Sequence, residues 1–418
     1  MCKEDITGYI SKNTIIPYIF EKVAQQHAAA FAAGGPIWSL LQQKPEVYIY
    51  EAMTHGVLTE LPERIAAGIN DVAQRGDWNQ PADEQWALAT ETWREVVARR
   101  QRYDEVRKLM EEGQISTIND LITYNLDIMQ FVTDVIATCT DASLLRSFYD
   151  ALTHVTILDP TCGSGAFLFA ALNVLRPLYQ ACLTRMDELV KQHESHELKL
   201  ATNHFDFFQT VLSRFGKHRR QQYFILKSII VHNLYGVDIM EEAIEICRLR
   251  FFLNLVAQLE TPKDLEPLPD IDFNVLAGNT LIGFTSMDEV RQVTQKLFPA
   301  ENTEEMLAHI EQNAKEVERA ERDFRELQIE KGISVDTSSK QGLRAMLDDL
   351  RADLDPYLAT EYNIGNGTRT DENIKSEKYK AWVKNYQPFH WWVEFYKIMH
   401  DGGFDVIIGE SDAISNFV

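Results

Sequence analysis

The sequence has few cysteines, and they form none of the patterns that build disulfide or metal frameworks. Five cysteines occur in 418 residues, without a CxxC pair or a Cys/His cluster. They are scattered along the chain as Cys2, Cys139, Cys162, Cys182 and Cys247. This usage argues against a disulfide-stapled secreted domain and against a zinc site, and it predicts a cytoplasmic protein without a metal centre.

Long apolar runs are also missing. No stretch approaches the roughly 20 apolar residues of a membrane span, and the start Met1–Asp5 lacks the apolar core of a signal peptide. Hydrophobic residues make up 45% and charged residues 25%, which is ordinary for globular domains. We therefore expect two or three domains and no membrane partner.

Positive charge is scarce. The chain has 41 Lys and Arg residues against 63 Asp and Glu residues, a net charge of −22. A surface of this sign does not coat a polyanion, so any contact with nucleic acid is confined to local basic patches. Two patches stand out, residues 94–102 and residues 214–220. Each also fits a solvated helix face, which is the interpretation that we favour.

One pattern that is present is typical of a ligand-binding turn. A β-branched run over residues 155–158 leads into Asp159, and a small-residue loop with Gly163 and Gly165 follows. After the loop comes a wholly apolar helix start at Ala166. The order predicts a strand, a tight glycine turn and a buried helix, in which the missing Cβ atoms let the backbone approach a ligand.

Further strand-like runs end at Asp238, just before Asn279, and at Gly409. Helical patterns separate these runs, so the sequence predicts an α/β fold with a partial doubly wound, Rossmann-like parallel sheet. An N-terminal helical region and large helical insertions accompany it. Ligands of such sheets bind at the carboxyl ends of the strands, where these residues are expected to meet.

The residue types at these strand ends suit one ligand. Amides of the glycine turn and the following helix start can bind a carboxylate. Asp238 suits two ribose hydroxyls, Ile239 an adenine face, and Asn279 an adenine edge. S-adenosyl-L-methionine carries all these groups. A nicotinamide dinucleotide fits less well, because its acid is expected about 20 residues after the loop, whereas Asp238 lies 79 positions after Asp159 (238 − 159).

Changes in composition, together with breaks at glycine and proline, divide the chain into four predicted parts. Residues 1–150 form an N-terminal segment and helical domain. Residues 151–285 form the core, with a helical insertion over 177–230. Residues 286–388 form a helical hairpin and a loop, and residues 389–418 form an aromatic helix and the fourth strand.

The same residues resemble a known family, the adenine-N6 DNA methyltransferases of Type IIG restriction–modification and of BREX- and DISARM-like phage defence. Residues 159–168 match the family motif Asp-Pro-x-Cys-Gly-Ser-Gly-x-Phe-Leu throughout. Residues 235–239 and 277–281 resemble the next two motifs. Residues 7–11 resemble the N-terminal cofactor segment, with Ser11 in place of Thr.

The resemblance implies a class I methyltransferase fold, S-adenosylmethionine as cofactor and DNA as substrate. It also implies a set of residues that contact the cofactor. These are Tyr9, Ser11, Asp159, Thr161, Cys162, Gly163, Gly165, Ala166, Asp238, Ile239 and Asn279.

The chain departs from the family after the fourth strand. There the family carries Asn-Pro-Pro-Tyr, which binds the flipped adenine, but Gly409 is followed by Glu-Ser-Asp-Ala. We therefore expect no catalytic residues and no activity of this chain alone, as in a truncated enzyme or an inactive paralogue. The alternative is a catalytically silent subunit of a split methylase, in which an exposed fourth strand binds a downstream polypeptide. An RNA or protein methyltransferase is a third possibility.

Overall fold

The computed structural model describes residues 3–216, 221–260, 269–298, 300–330 and 337–410. They divide into two compact units. The helical unit comprises Ile15–Ala151 and Ala181–Leu200, and the sheet unit comprises Met1–Thr14, Leu152–Gln180 and Ala201–Val418. Residues 181–200 of the predicted insertion thus group with the helical unit. The four-part division of the sequence stays a prediction.

Short and medium helices build the first part of the chain. They are α1 (Lys3–Gln26), α2 (Ala28–Phe31), α3 (Ser39–Gln43), α4 (Glu51–Thr54), α5 (Glu63–Asn70), α6 (Trp93–Glu111), α7 (Ile118–Thr123), α8 (Ile128–Ala137) and α9 (Ala142–His154), with 3-10 turns at Pro45–Tyr48 and Val72–Gln74. Aromatic rings fill the core of the helical unit. Trp38 stacks on Phe131 with ring centroids 5.5 Å apart, and Phe20 meets Phe148 edge-on at 5.6 Å.

Two arginines of the basic patch at residues 94–102, which lies on α6, bond backbone groups within the helical unit. Arg99 donates to the carbonyl oxygens of His55 (2.6 Å) and Trp86 (2.7 Å) and pairs with Glu91. Arg100 donates to the carbonyl oxygens of residues 56, 57 and 59. The favoured interpretation of a solvated basic face is therefore wrong for these two arginines. In the second patch, residues 217–220 lie outside the described residues.

In the described part of the sheet unit, four parallel strands lie in the order β3-β2-β1-β4. They are β1 (Ile157–Asp159), β2 (Leu234–Asp238), β3 (Val275–Ala277) and β4 (Val406–Ile407). Buried apolar side chains dominate β1 and β2, as expected when helices cover both faces of a parallel sheet. The predicted partial Rossmann-like α/β fold is confirmed.

Among the described residues, eleven further helices begin in the sheet unit. They are α10 (Ala166–Glu194), α11 (Thr202–Gly216), α12 (Gln221–His232), α13 (Glu241–Val256), α14 (Met287–Leu297), α15 (Ala300–Glu330), α16 (Thr337–Thr360), α17 (Asp371–Ile374), α18 (Glu377–Tyr386), α19 (Trp391–Glu394) and α20 (Tyr396–His400). Helix α10 is long and apolar enough to cross a membrane by length and composition, but 61% of its apolar window is buried within the protein.

The predicted hairpin forms from α15 and α16. Its two apolar stripes are buried together, namely Ile310, Val317 and Phe324 on α15 and Leu343, Leu347, Leu350 and Leu354 on α16. The intramolecular pairing is thus confirmed, although the predicted break at Gly332 lies outside the described residues. The aromatic helix expected near residue 389 consists of two short helices, α19 and α20.

Strand β4 lies at one edge of the described sheet, beside β1. Thr156 and Asp405 fix its start, because the Asp405 carboxylate accepts from both the amide and the hydroxyl of Thr156 at 2.9 and 3.0 Å. Ile407 on β4 is 39% exposed. The predicted exposed edge is therefore found among the residues that the structure describes.

Candidate functional site

The carboxyl ends of β1, β2 and β3 bring the predicted polar residues to one edge of the sheet. Asp159 ends β1 and pairs in register with Gly236, and Asp238 ends β2 and pairs with Ala277. Asn279 follows β3 directly. Because neighbouring strands lie about 4.8 Å apart, the three residues are spread over roughly 10 Å along this edge.

The glycine loop is hydrogen-bonded to the end of β2. The Gly163 amide donates to Oδ2 of Asp238 at 2.8 Å, and the Cys162 amide donates to the Val237 carbonyl at 2.9 Å. Asp238 therefore fixes the shape of the loop, a role that sequence reasoning missed. The partners are 75 positions apart, and no local pattern signals such a contact.

The two loop glycines are required for different reasons. Gly163 has φ +51°, and a Cβ there would meet no atom within 4 Å, so this part of the loop is open. Gly165 has φ +88°, and its Cβ would lie 2.6 Å from the Cys247 sulfur of α13. Gly165 therefore makes room for α13, whereas the expectation that Gly163 makes room for a ligand stays a prediction.

The loop cysteine faces the interior. Cys162 is buried, and its hydrogen bond with the Cys247 thiol, together with burial, raises the pKa of the Cys162 thiol. The thiol therefore stays protonated at neutral pH. Thr161 is exposed beside it, and Ala166 is the first residue of α10, whose N-terminus carries the partial positive charge of a helix start.

Asp159 is a buried carboxylate without a cationic partner in the described part of the chain. Its side chain is almost fully enclosed, and one oxygen accepts from the Thr161 amide at 3.2 Å. Burial raises the pKa of Asp159 to about 7, and the negative charges of Asp238 and Glu410 act in the same direction against that amide bond. The carboxyl groups of Asp159, Asp238 and Glu410 thus concentrate negative charge at this edge of the sheet.

An apolar surface lies next to Asp238. The second carboxylate oxygen of Asp238 accepts from the Met240 amide at 2.9 Å. The side chains of Ile239 and Met240 are 52% and 58% exposed. Such exposure at a strand end provides a face on which a flat, apolar ring can pack.

Asn279 is oriented by bonds on both sides. Its Oδ1 accepts from the backbone amide of Leu281 at 3.1 Å, and its backbone amide donates to the Gln387 carbonyl at 2.8 Å. Within the described residues, Nδ2 of Asn279 makes no hydrogen bond. The side chain can therefore donate to an acceptor at the edge of a ligand ring.

Tyr9 and Ser11 are not brought together. Both lie inside α1, where two positions correspond to about 200° around the axis. Tyr9 is 47% exposed, whereas Ser11 is fully buried and its hydroxyl has no hydrogen-bond partner in the described structure. The expectation that this segment contacts a cofactor stays a prediction, and no described contact joins either side chain to the strand ends.

Two known protein families match parts of this chain. The family described as the Eco57I restriction-modification methylase matches residues 232–410. The family described as the MmeI DNA-methyltransferase domain matches residues 136–265. Both matched ranges contain Asp238, and the second contains the glycine loop.

A curated relative matches most of the chain. A protein of Methanocaldococcus jannaschii, named as a type II restriction enzyme and methyltransferase, is 27% identical over 384 residues, which cover 82% of this chain. The match covers 28% of that relative's length. No solved structure matches the chain with significance.

Proposed function

We propose that this chain is a restriction–modification methyltransferase, as its similarity to two such families and to a curated relative supports, and that the carboxyl edge of its sheet binds S-adenosyl-L-methionine. The methyl acceptor of the complete system is the exocyclic N6 amine of adenine in DNA. Its role is restriction–modification or phage defence. When bound, the cofactor supplies a methyl group carried on a positively charged sulfur.

The observation that carries the proposal is the order of side chains along three adjacent strand ends. The glycine turn and Asp159 follow β1, Asp238 ends β2, and Asn279 follows β3. This order repeats the order of groups in the cofactor, which is methionine end, ribose and adenine. The Cys162 and Gly163 amides already bond the end of β2, so the positive N-terminus of α10 would attract the carboxylate. Asp238 would bind the ribose hydroxyls, and Asn279 an acceptor on adenine.

Charge supports the same ligand. The cofactor carries an ammonium and a sulfonium group against one carboxylate, so its net charge is +1. Asp159 is buried without a cationic partner among the described residues, beside Asp238 and Glu410. A bound cation would offset these charges, and its ammonium suits Asp159. The residues present therefore fit the cofactor.

Catalysis is a separate question, because the adenine-binding residues of the family motif are missing. Glu410 occupies the position of the motif Asn, and its longer, charged side chain has a different reach. The following residues 411–418 lie outside the described residues. We therefore propose that this chain binds the cofactor but transfers no methyl group by itself.

Calorimetric titration of the purified chain with S-adenosylmethionine tests the first part. We expect saturable binding below about 1 mM, with Asp238→Ala as the variant that loses it. Asp353→Ala, which breaks an ion pair with Arg369, is the control. Absence of binding by a folded wild-type chain would sink the proposal. Transfer of labelled methyl groups to DNA tests the second part, and robust methylation would show that the chain is active alone.

A second candidate function is that of a silent subunit in a split methylase. The observation in its favour is the exposed edge of β4, with Ile407 39% exposed next to the proposed site. A polypeptide that carries Asn-Pro-Pro-Tyr could then add both the acceptor residues and a neighbouring strand. Mixing the chain with such a polypeptide should restore methylation, and a mixture that binds the cofactor but stays inactive would count against it.

A further inference from the structure

Two segments that are far apart in sequence run side by side next to Asn279. The Asn279 loop (residues 279–284) follows β3, and the His390 segment (residues 387–392) precedes the last strand. Backbone bonds join them along their length, from Asn279 to Gln387 at 2.8 Å, from Phe389 to Ile282 at 2.7 Å and from Trp392 to Phe284 at 3.2 Å. The Trp391 indole adds a bond to the Thr280 carbonyl at 3.1 Å.

His390 connects this pair of segments to the hairpin. Its ring is 1% exposed, and Nδ1 accepts from the Phe284 amide at 3.1 Å. Nε2 lies 3.0 Å from Oδ1 of Asp355 on α16. Because Nδ1 accepts a backbone proton, the ring proton is on Nε2 and is donated to Asp355. The ring also stacks on Phe284 at 5.2 Å.

The two segments are packed closely against each other at two glycines. A Cβ on Gly283 would lie 1.9 Å from the Phe389 carbonyl oxygen, and a Cβ on Gly278 would lie 2.6 Å from the Phe389 ring. The backbone of the Asn279 loop is therefore pressed against the His390 segment on both sides of the loop. A shift of His390 must be transmitted to the loop.

We infer that His390 is a positioning residue that holds the Asn279 loop, and with it the Asn279 amide, in the orientation that selects an adenine ring. The inference rests on the proposed function, because it takes Asn279 as the contact to the adenine end of the cofactor. Adenine N1 accepts a hydrogen bond, whereas N1 of hypoxanthine carries a proton. A donating Asn279 Nδ2 therefore favours adenine, provided that the loop stays in place.

The test measures selectivity as well as affinity. S-adenosylhomocysteine and its deaminated analogue S-inosylhomocysteine differ only at the edge of the purine ring. The ratio of their dissociation constants therefore measures the preference of the protein for adenine over hypoxanthine. His390→Asn keeps an acceptor near the Nδ1 position, and His390→Gln loses it. Asp355→Ala removes the carboxylate that bonds Nε2 of His390. The matched control is Asp353→Ala on the same helix, which breaks an ion pair with Arg369.

We expect the wild type and Asp353→Ala to keep the preference for the adenine compound within about threefold. His390→Asn keeps the acceptor for Phe284 but not the bond to Asp355, so it should lose less of the preference than His390→Gln. His390→Gln and Asp355→Ala should lose about 5- to 20-fold of it, as expected for a displaced hydrogen bond. Hydrogen exchange of amides 279–284 should rise in the same two variants, with or without ligand. This second readout remains informative if one variant binds too weakly to measure.

The outcomes separate the two claims. A folded wild type that binds neither compound contradicts the proposed function itself. A wild type that binds and discriminates, with unchanged discrimination in His390→Gln and Asp355→Ala, overturns the positioning role. Equal losses for both ligands in every His390 variant, including His390→Asn, would also overturn it, because they would indicate a packing role only.

Discussion

Two carboxylates of the sheet unit are both largely removed from water, yet their surroundings are opposite. Asp272 meets three cations, since Arg248 lies 3.2 Å and Lys340 2.6 Å away and Arg344 bonds the same carboxylate. Burial alone would raise the pKa of Asp272, but these bonds bring it below its ordinary value. Asp159 has no such partner in the described residues, and its pKa is raised to about 7.

The difference separates a charge that is neutralised inside the fold from one that the proposed cofactor would neutralise. Asp272 fixes the entry to β3 against the hairpin, and its charge is neutralised inside the fold. Asp159 costs the fold free energy when ionised, because it is desolvated beside other negative groups. Such an arrangement persists where a cationic ligand completes it, and charged groups with perturbed pKa values cluster at functional sites for this reason.

The largest expected effect comes from removing the charge of Asp159. Asp159→Asn should weaken binding of S-adenosylmethionine by about 10- to 100-fold, because a charge-assisted bond to the ammonium group is lost. Calorimetry measures the affinity. Asp272→Asn is the control, because it makes the same substitution at a carboxylate that is already paired with cations. Equal losses in both variants would erase the distinction between the two carboxylates.

Substitutions of the same two carboxylates should have opposite effects on stability. Asp272→Ala should lower the free energy of unfolding by about 2–3 kcal/mol, because three cations lose their shared partner. Asp159→Asn should raise it at pH 8 and leave it nearly unchanged at pH 4, since the raised pKa of Asp159 stabilises the fold below its unfolded value and this contribution is lost as the pH rises through about 7. Urea unfolding at both pH values checks the signs.

A smaller effect is expected from pH on binding. With the pKa of Asp159 at about 7, ionised carboxylate is about tenfold more abundant at pH 8 than at pH 6, and affinity for S-adenosylmethionine should rise by about the same factor. Titrations in buffers of different ionisation enthalpy should show proton release near pH 7. A flat profile, or one that survives in Asp159→Asn, would assign the titration to another group.

The smallest expected effect is discrimination between cofactor and product. S-adenosylhomocysteine lacks the sulfonium charge, so the wild type should bind S-adenosylmethionine about fivefold more tightly at low salt. Asp159→Asn should reduce this preference, and Asp272→Asn should leave it intact. A preference that is independent of both substitutions and of salt would show that shape, and not charge, distinguishes the two ligands.

Much of the fold and of the candidate site could be predicted because the signals are local. The run before Asp159 and the small-residue loop after it specify β1, the turn and the start of α10. Periodic apolar residues specify α13 and the hairpin. The interpretation of a solvated basic face was wrong for Arg99. A basic side chain looks the same in sequence whether it faces solvent or donates to the carbonyl of His55.

The sequence by itself determined the parallel sheet and the residues at its carboxyl edge, because strand periodicity and glycine turns act over a few neighbouring positions. Only the tertiary structure decided what those residues contact. The bond from Gly163 to Asp238 spans 75 positions, and the bond from Phe284 to His390 spans 106. The contrast between Asp159 and Asp272 arises in the same way, since the cations that neutralise a buried charge come from distant helices and are set by packing.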